Sequence, residues 1–451
     1  MLRLAEKIFT SLNKKGVSEA EFYGLWRRNI ILEISDGRVK TISYRNIGEY
    51  GVRASIGKKV AGISSSDLEP DTDLLAERLV KIVKAAPENR DWRGFSKNYR
   101  RGVPANIYDK RLEDLEPSEM IERLTGYMDA STRAALEKGA DETRITQGMV
   151  SYGVVGIVVA NIDGEHLADE ATNLMIFYEV KSRKGGEESS FETFYTGRRL
   201  DDDRIMREAR RGGEYSVLFA NAKPVPSGKY KLLLDPYMAA LFIETALVPA
   251  FSALNVQENR SPLKGKIDQQ ILHESITILD DPSIDWGVGS RSFDDEGIPT
   301  TRKPVVENGI LYTYLYDYYT ASRENKTSTG NGFRRSPGSQ PSPAPTNIVL
   351  EAEKTWMWDE LVEEIDRGLI VHGMIGYWMS NPVNGATQAT VSHGLYVENG
   401  EVKHPVKGVV IGGNIYDWLW KNMVAMGKEL VSVGNMYSRP VLISDVGVAG
   451  K

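Results

Sequence analysis

Between Tyr230 and Leu254 the chain runs from an apolar strand, Tyr230-Lys-Leu-Leu-Leu234, through Asp235-Pro236 into an apolar run at helical spacing, Tyr237–Leu254. A second proline, Pro249, falls inside that run. It has no N–H to offer the carbonyl of Thr245, and its ring crowds that carbonyl, at a typical cost of about 3 kcal/mol within a helix. A kinked helix directly behind a buried strand is therefore predicted, and the segments that follow must pack around it. They are Leu279-Asp280-Asp281-Pro282, Ser292-Phe-Asp-Asp-Glu-Gly297 and Ser328-Thr-Gly-Asn331.

Before this stretch, strands and helices come in separate runs. Leu2–Lys15 carries Leu4, Ile8, Phe9 and Leu12 at helical spacing, with Gly16 behind it. Strands are predicted over Glu19–Trp26, Asn29–Ile34, Arg38–Ser43, Glu49–Ile56 and Lys58–Ser64, with turns at Asp36-Gly37 and Gly57-Lys58. Asp71–Ala86 is helical, and 89–109 reads as a long loop rich in Arg, Asn, Gly and Pro. Pro117–Gly139 is a helix with Met120, Leu124, Met128 and Leu136 along its apolar side. Strands punctuated by Asp163-Gly164 and Gly185-Gly186 follow between Thr143 and Tyr195, then a charged helix over Leu200–Tyr215. Hairpin-joined strands beside separate helices predict an α+β fold. The Pro- and Gly-bearing segment 221–228 divides the chain into an N-terminal α+β domain, 1–222, and a β-rich C-terminal domain with a few helices, 223–451.

In the C-terminal half, Asn308-Gly309 and Asn399-Gly400 supply the positive φ angles of tight hairpins, the first joining Lys303–Val306 to Ile310–Leu315. Helices are predicted over Trp358–Gly368 and Asp417–Met426. The segment 327–346, dense in Ser, Gly, Pro and Asn, reads as a long loop, of a length that in compact domains is often functional or disordered.

The 451 residues are 41% hydrophobic and 26% charged, with net charge −6, which argues against nucleic acid as the main partner. The chain has no cysteine, so thiolate zinc sites and cysteine nucleophiles are excluded, and a reducing cytoplasm is the expected location. No signal-peptide core and no membrane-spanning apolar run are found. Of the five histidines, His273-Glu274 opens an alternating run and reads as a strand end, while His372 reads as a core histidine. Ser392-His393 has no identifiable orienting acid. Asp280-Asp281 and Asp294-Asp295-Glu296 precede the turn formers Pro282 and Gly297, and are expected to be turn acids that accept backbone hydrogen bonds. Ser328-Thr-Gly-Asn-Gly332 lacks the lysine and serine of a P-loop.

The ordered set of blocks resembles the TldD/PmbA family, predicted zinc peptidases and their inactivated relatives. Besides the segments above it includes Glu49–Leu68, Gly394–Glu401, Val410-Ile-Gly-Gly-Asn414 and the tail Pro440–Gly450. TldD-type members carry His-Glu-x-x-x-His on the first C-terminal helix. Alignment from Asp235-Pro236 sets those positions at Glu244, Thr245 and Pro249. The resemblance is therefore to the TldE/PmbA branch, which lacks the metal motif. It implies no cofactor in this chain, and zinc in a TldD-like partner subunit. It implies a heterodimer with that partner or a homodimer when alone, with peptides as substrates and strand edges available to hold them. The family also carries a link to DNA gyrase modulation. Asp294, Asp295, Glu296, Ser328, Thr329 and Asn331 are the expected peptide-cavity or interface residues. Two other readings stand: a metallopeptidase with a displaced site at His273, Glu274 and His393, and a homodimeric peptide-binding scaffold.

Overall fold

The computed structural model describes residues 1–450. The chain opens with α1 (Leu2–Lys14), then β1 (Glu19–Ser35), β2 (Arg38–Ile56), β3 (Lys59–Ser65) and α2 (Thr72–Ala85). After the 89–109 loop come α3 (Lys110–Glu113), α4 (Pro117–Glu137), β4 (Glu142–Asn161), β5 (His166–Lys184), β6 (Glu187–Gly197) and α5 (Asp202–Leu218). The six strands form one antiparallel sheet in the order β3-β2-β1-β4-β5-β6. Asp36 and Gly37 take φ of 50° and 69°, the left-handed pair that a two-residue hairpin needs.

Side chains alternate across the sheet, and the alternation assigns its two faces. Phe22 and Leu32 of β1 face the helices: Phe22 meets Ile8 of α1 and Leu79 of α2, and Leu32 meets Met120 and Leu124 of α4. The odd-numbered Glu21 and Tyr23 face the C-terminal half, where Tyr23 packs on Phe293 and Glu21 pairs with Arg334. Two pairs of predicted strands are in fact single ones. β1 runs unbroken through Arg27 and Arg28, and β2 through Tyr44–Gly48, because backbone pairing with a neighbour carries them across a polar stretch. Leu136, expected in the core, is half exposed.

The second half begins with β7 (Gly228–Leu234) and continues through α6 (Pro236–Phe242), α7 (Ala253–Gln257), β8 (Ile276–Asp280), β9 (Lys303–Glu307) and β10 (Ile310–Leu311). Then come α8 (Tyr318–Arg323), β11 (Gly332–Phe333), β12 (Ser342–Pro343), β13 (Ile348–Ala352), α9 (Trp358–Glu363), β14 (Arg367–Ile375) and β15 (Ala386–Glu398). The chain finishes with β16 (Glu401–Val406), β17 (Val409–Asn414), α10 (Ile415–Trp420), β18 (Met423–Met426), β19 (Val431–Val433), β20 (Met436–Ser438) and β21 (Val441–Ala449). The path β14-β7-β21-β17-β15 closes on itself, since β14 also pairs with β15. One face of this ring, with Leu232, Leu234 and Val371, packs on the kinked helix residues Ile243, Leu247 and Phe251. The other face, with Leu233, Ile370 and Leu442, packs on Phe219, Leu361 and Ile365. A second sheet runs β10-β9-β8-β13-β20-β19.

Three boundaries differ from expectation. The helix predicted over 358–368 stops at Glu363, and Arg367 onward is strand because it pairs in parallel with β7. The helix predicted over 417–426 ends at Trp420, and Met423–Met426 pairs with β21. The strand predicted from Ile310 is two residues long, after which the Leu315 N–H turns to the Phe251 carbonyl. Among the described residues no helix is long and apolar enough to cross a membrane.

Candidate functional site

The strand-to-helix unit is built as its sequence dictates. Asp235 caps α6, its Oδ1 accepting from the Met238 N–H at 2.9 Å, and Pro236 fills the first helical position, where no N–H is needed. The helix loosens to a π turn over Ile243–Leu247, closed by the Val248 N–H on the Ile243 carbonyl, and tightens to a 3-10 turn over Val248–Phe251. This is the kink at Pro249. Ile243, Ala246, Leu247 and Ala250 are fully buried, so the distortion is packed rather than hollow.

On this element Glu244 is exposed, and desolvation of its carboxyl raises its pKa above the ordinary value. The Thr245 hydroxyl donates to the Leu241 carbonyl at 2.7 Å, tying it to its own helix. Pro249 offers only its backbone carbonyl, which accepts from Asn255 Nδ2 at 2.8 Å. The three positions thus present one free side-chain ligand atom type, a single carboxylate. A catalytic zinc takes about three protein ligands and a water, so these residues do not fit one. Among the described residues no group of three or more His, Asp or Glu is placed to hold a metal ion.

The displaced set is not brought together either. His273 Nδ1 lies 2.9 Å from Ser275 Oγ at the start of β8, and Glu274 beside it is exposed. His393 lies on β15, edge-on to Phe191 and Phe219. Its Nε2 lies 2.8 Å from the Ser190 carbonyl, which only accepts, so Nε2 carries the hydrogen and Nδ1 takes the Ser392 hydroxyl at 3.0 Å. Both ring nitrogens are thus engaged, Nε2 by its hydrogen and Nδ1 through its lone pair on the Ser392 hydroxyl. Burial lowers the pKa of this imidazole and favours its neutral form.

The acidic block and the 327–346 loop meet at the junction of the two halves. Asp294 is fully buried, and accepts from the N–H groups of Glu296, Ile298 and Gly332 at 2.9, 3.0 and 2.9 Å. Asp295 pairs with Arg291 at 2.7 Å, and Glu296 accepts from the Tyr318 N–H at 2.7 Å. Asn331 is buried and donates to Asp280 at 2.7 Å, and Asp280 also takes Lys303 at 2.8 Å. Thr329 and Ser328 are half-buried, both donating to the Tyr316 carbonyl. These bonds all lie within the C-terminal half, on the side that meets the first sheet. Glu21 completes the junction, with Arg53 at 2.5 Å and Arg334 at 2.6 Å, all nearly inaccessible. Burial opposes ionisation of Glu21, but the Arg334 and Arg53 guanidiniums outweigh it and lower its pKa.

One neighbour of the kinked helix was not singled out from the sequence. Tyr377 lies near Glu244 and Glu192. Burial first, and then those two charges, raise its hydroxyl pKa. The segment behind Gly376 (φ 80°) presents Trp378 and Met379 to solvent, 63% and 65% exposed, with Ile375 and Val383 also exposed. The run Ile375-Gly-Tyr-Trp-Met379 has the letters of a core strand, but β14 ends at Ile375, and beyond it Tyr377 packs on the core while Trp378 and Met379 face solvent.

Residues 227–450 match the PmbA/TldA metallopeptidase C-terminal domain. An uncharacterized protein of Methanocaldococcus jannaschii is 33% identical over 344 residues, 76% of this chain and 75% of its own length. The metalloprotease PmbA of Escherichia coli O157:H7 is 27% identical over 435 residues, 92% of this chain and 88% of its own. TldE from Thermococcus kodakarensis has the same fold, with a TM-score of 0.85 and 25% identity across 99% of this chain and 100% of that one.

Proposed function

The chain belongs to the PmbA/TldD family, and from that premise we propose that it is a TldE-like subunit that binds no zinc and completes the peptide site of a zinc-bearing TldD-type partner. The observation that carries this reading is the donor set on the kinked helix, where Thr245 is spent on Leu241 and Pro249 has no side-chain donor. Glu244 alone cannot supply a hydrolytic metal centre. The exposed apolar group Ile375, Trp378, Met379 and Val383 suits a partner subunit's surface. In this reading the partner holds the metal and the water, and this chain supplies part of the chamber wall. The absence of cysteine favours work in the cytoplasm.

Elemental analysis of the purified chain after dialysis against zinc tests it. The expected result is no stoichiometric zinc and no peptide cleavage alone, with cleavage appearing when a TldD-type subunit is added. One tightly held zinc with hydrolysis by the chain alone would overturn it.

A further inference from the structure

Between α5 and the start of α6 lies a second feature, lined by Asp235, Pro236 and Tyr237 at the opposite end of the helical run from Pro249. It is a cavity of about 530 Å³, within the size range of small-ligand sites. It sits where the last helix of the N-terminal half meets the C-terminal half, a common place for such sites.

Arg204, Arg207 and Arg211 line it from one face of α5, spaced three and four residues apart. Arg211 is already used. It pairs with Asp235 at 2.8 Å and lies 4.0 Å from the Tyr237 ring centroid. Asp235 in turn takes His372 Nδ1 at 3.0 Å, and Glu208 takes the Tyr237 hydroxyl. The two inner carboxylates are thus satisfied. Arg204 spends one nitrogen on the Ser432 carbonyl at 2.6 Å, which leaves its charge uncompensated. Arg207 is exposed, and among the described residues its guanidinium has no hydrogen bond or ion pair. Three arginines on the lining face three carboxylates, Glu208, Asp235 and the exposed Glu429, so the cavity is formally neutral, and Arg207 is a cation in it that no carboxylate pairs. At the inner end, His372 is 5% exposed, and its Nε2 has no protein partner. Trp358 stacks on this imidazole at 5.9 Å and gives the cavity an apolar wall.

The geometry points to a binding site for the free C-terminal carboxylate of a short peptide, held by Arg207 and Arg204, with His372 Nε2 meeting a polar group and Trp358 the side chain. Guanidinium forks fit carboxylates in two-point fashion. The assignment deepens the peptide-handling part of the function above and rests on it. It is measured on the chain alone, so its failure is separate from failure of partner-dependent cleavage.

The test is calorimetric titration of the full chain with the dipeptide Ala-Phe, with its C-terminal amide, and with inorganic phosphate. Ala-Phe is expected to bind about 10- to 100-fold more tightly than the amide, as for loss of a charged hydrogen bond. Arg207→Gln, at an exposed residue with no internal bond, is expected to abolish that preference. Equal binding of acid and amide, no binding of either, or an unchanged preference in Arg207→Gln would overturn the site. Phosphate binding more tightly than Ala-Phe would overturn its assignment to peptides.

Discussion

Asp294 shows how far a single residue's chemistry departs from its sequence context. The turn role was legible, since an Asp opening Asp-Asp-Glu-Gly readily accepts N–H groups a few residues on, and Asp294 Oδ1 accepts those two and four residues on. Its burial was not, because that comes from Gly332 and the rest of the 327–346 loop. Burial raises the pKa of this carboxyl to about 7, against the pull of its backbone donors, and raises that of Glu296 well above its ordinary value. The sign follows directly. The folded state keeps a proton that the unfolded chain releases near about pH 4. The stability from this group is therefore full below that pH and is lost as pH rises toward about 7. In urea unfolding, the loss of stability between pH 5 and pH 8 is expected to be smaller in Asp294→Asn than in the parent chain. An identical pH slope in both would refute the assignment.

At the scale of elements, local rules placed the turns and the kink, and neighbours placed the boundaries. The 327–346 segment was legible as a loop, but its seat on the first sheet was not. A Cβ added at Gly51 of β2 would stand 2.1 Å from the Gly338 nitrogen and the Pro337 carbonyl carbon, so glycine is required by close approach. Gly51→Ala is expected to cost about 1–3 kcal/mol in chemical denaturation, as overpacking does. It should also speed trypsin cleavage at Arg334 and Arg335, as the loop lifts from the sheet. A variant as stable and as resistant as the parent would show that the loop is not seated there. The shortened helices at Glu363 and Trp420 follow the same logic: Arg367–Ile375 and Met423–Met426 have strand partners waiting, and tertiary pairing overrides helical spacing.

For the whole molecule, the apolar group at Ile375–Val383 is where the subunit reading becomes measurable. Trp378→Ala removes a side chain that is 63% exposed, so the chain's own stability should move by less than about 0.5 kcal/mol. Its affinity for a TldD-type subunit should fall by about 2 kcal/mol or more if the indole is an anchor of the contact. Sedimentation of the mixed subunits reads this, and unchanged association would exclude this face. Features that depend on adjacent atoms follow from local sequence. The turns at Asp36-Gly37 and Asn399-Gly400 need only local φ angles, the kink at Pro249 only a missing N–H, and the poverty of donors at Glu244, Thr245 and Pro249 only side-chain identity. The tertiary structure alone decided the closure of the β14-β7-β21-β17-β15 ring and the unbroken length of β1. It also decided the pairings of Glu21 with Arg334, 313 residues apart, and of Asp235 with His372, 137 residues apart. Those outcomes depend on which distant segments come to share a water-poor interior, where a charge must find a partner, and no local pattern records that choice.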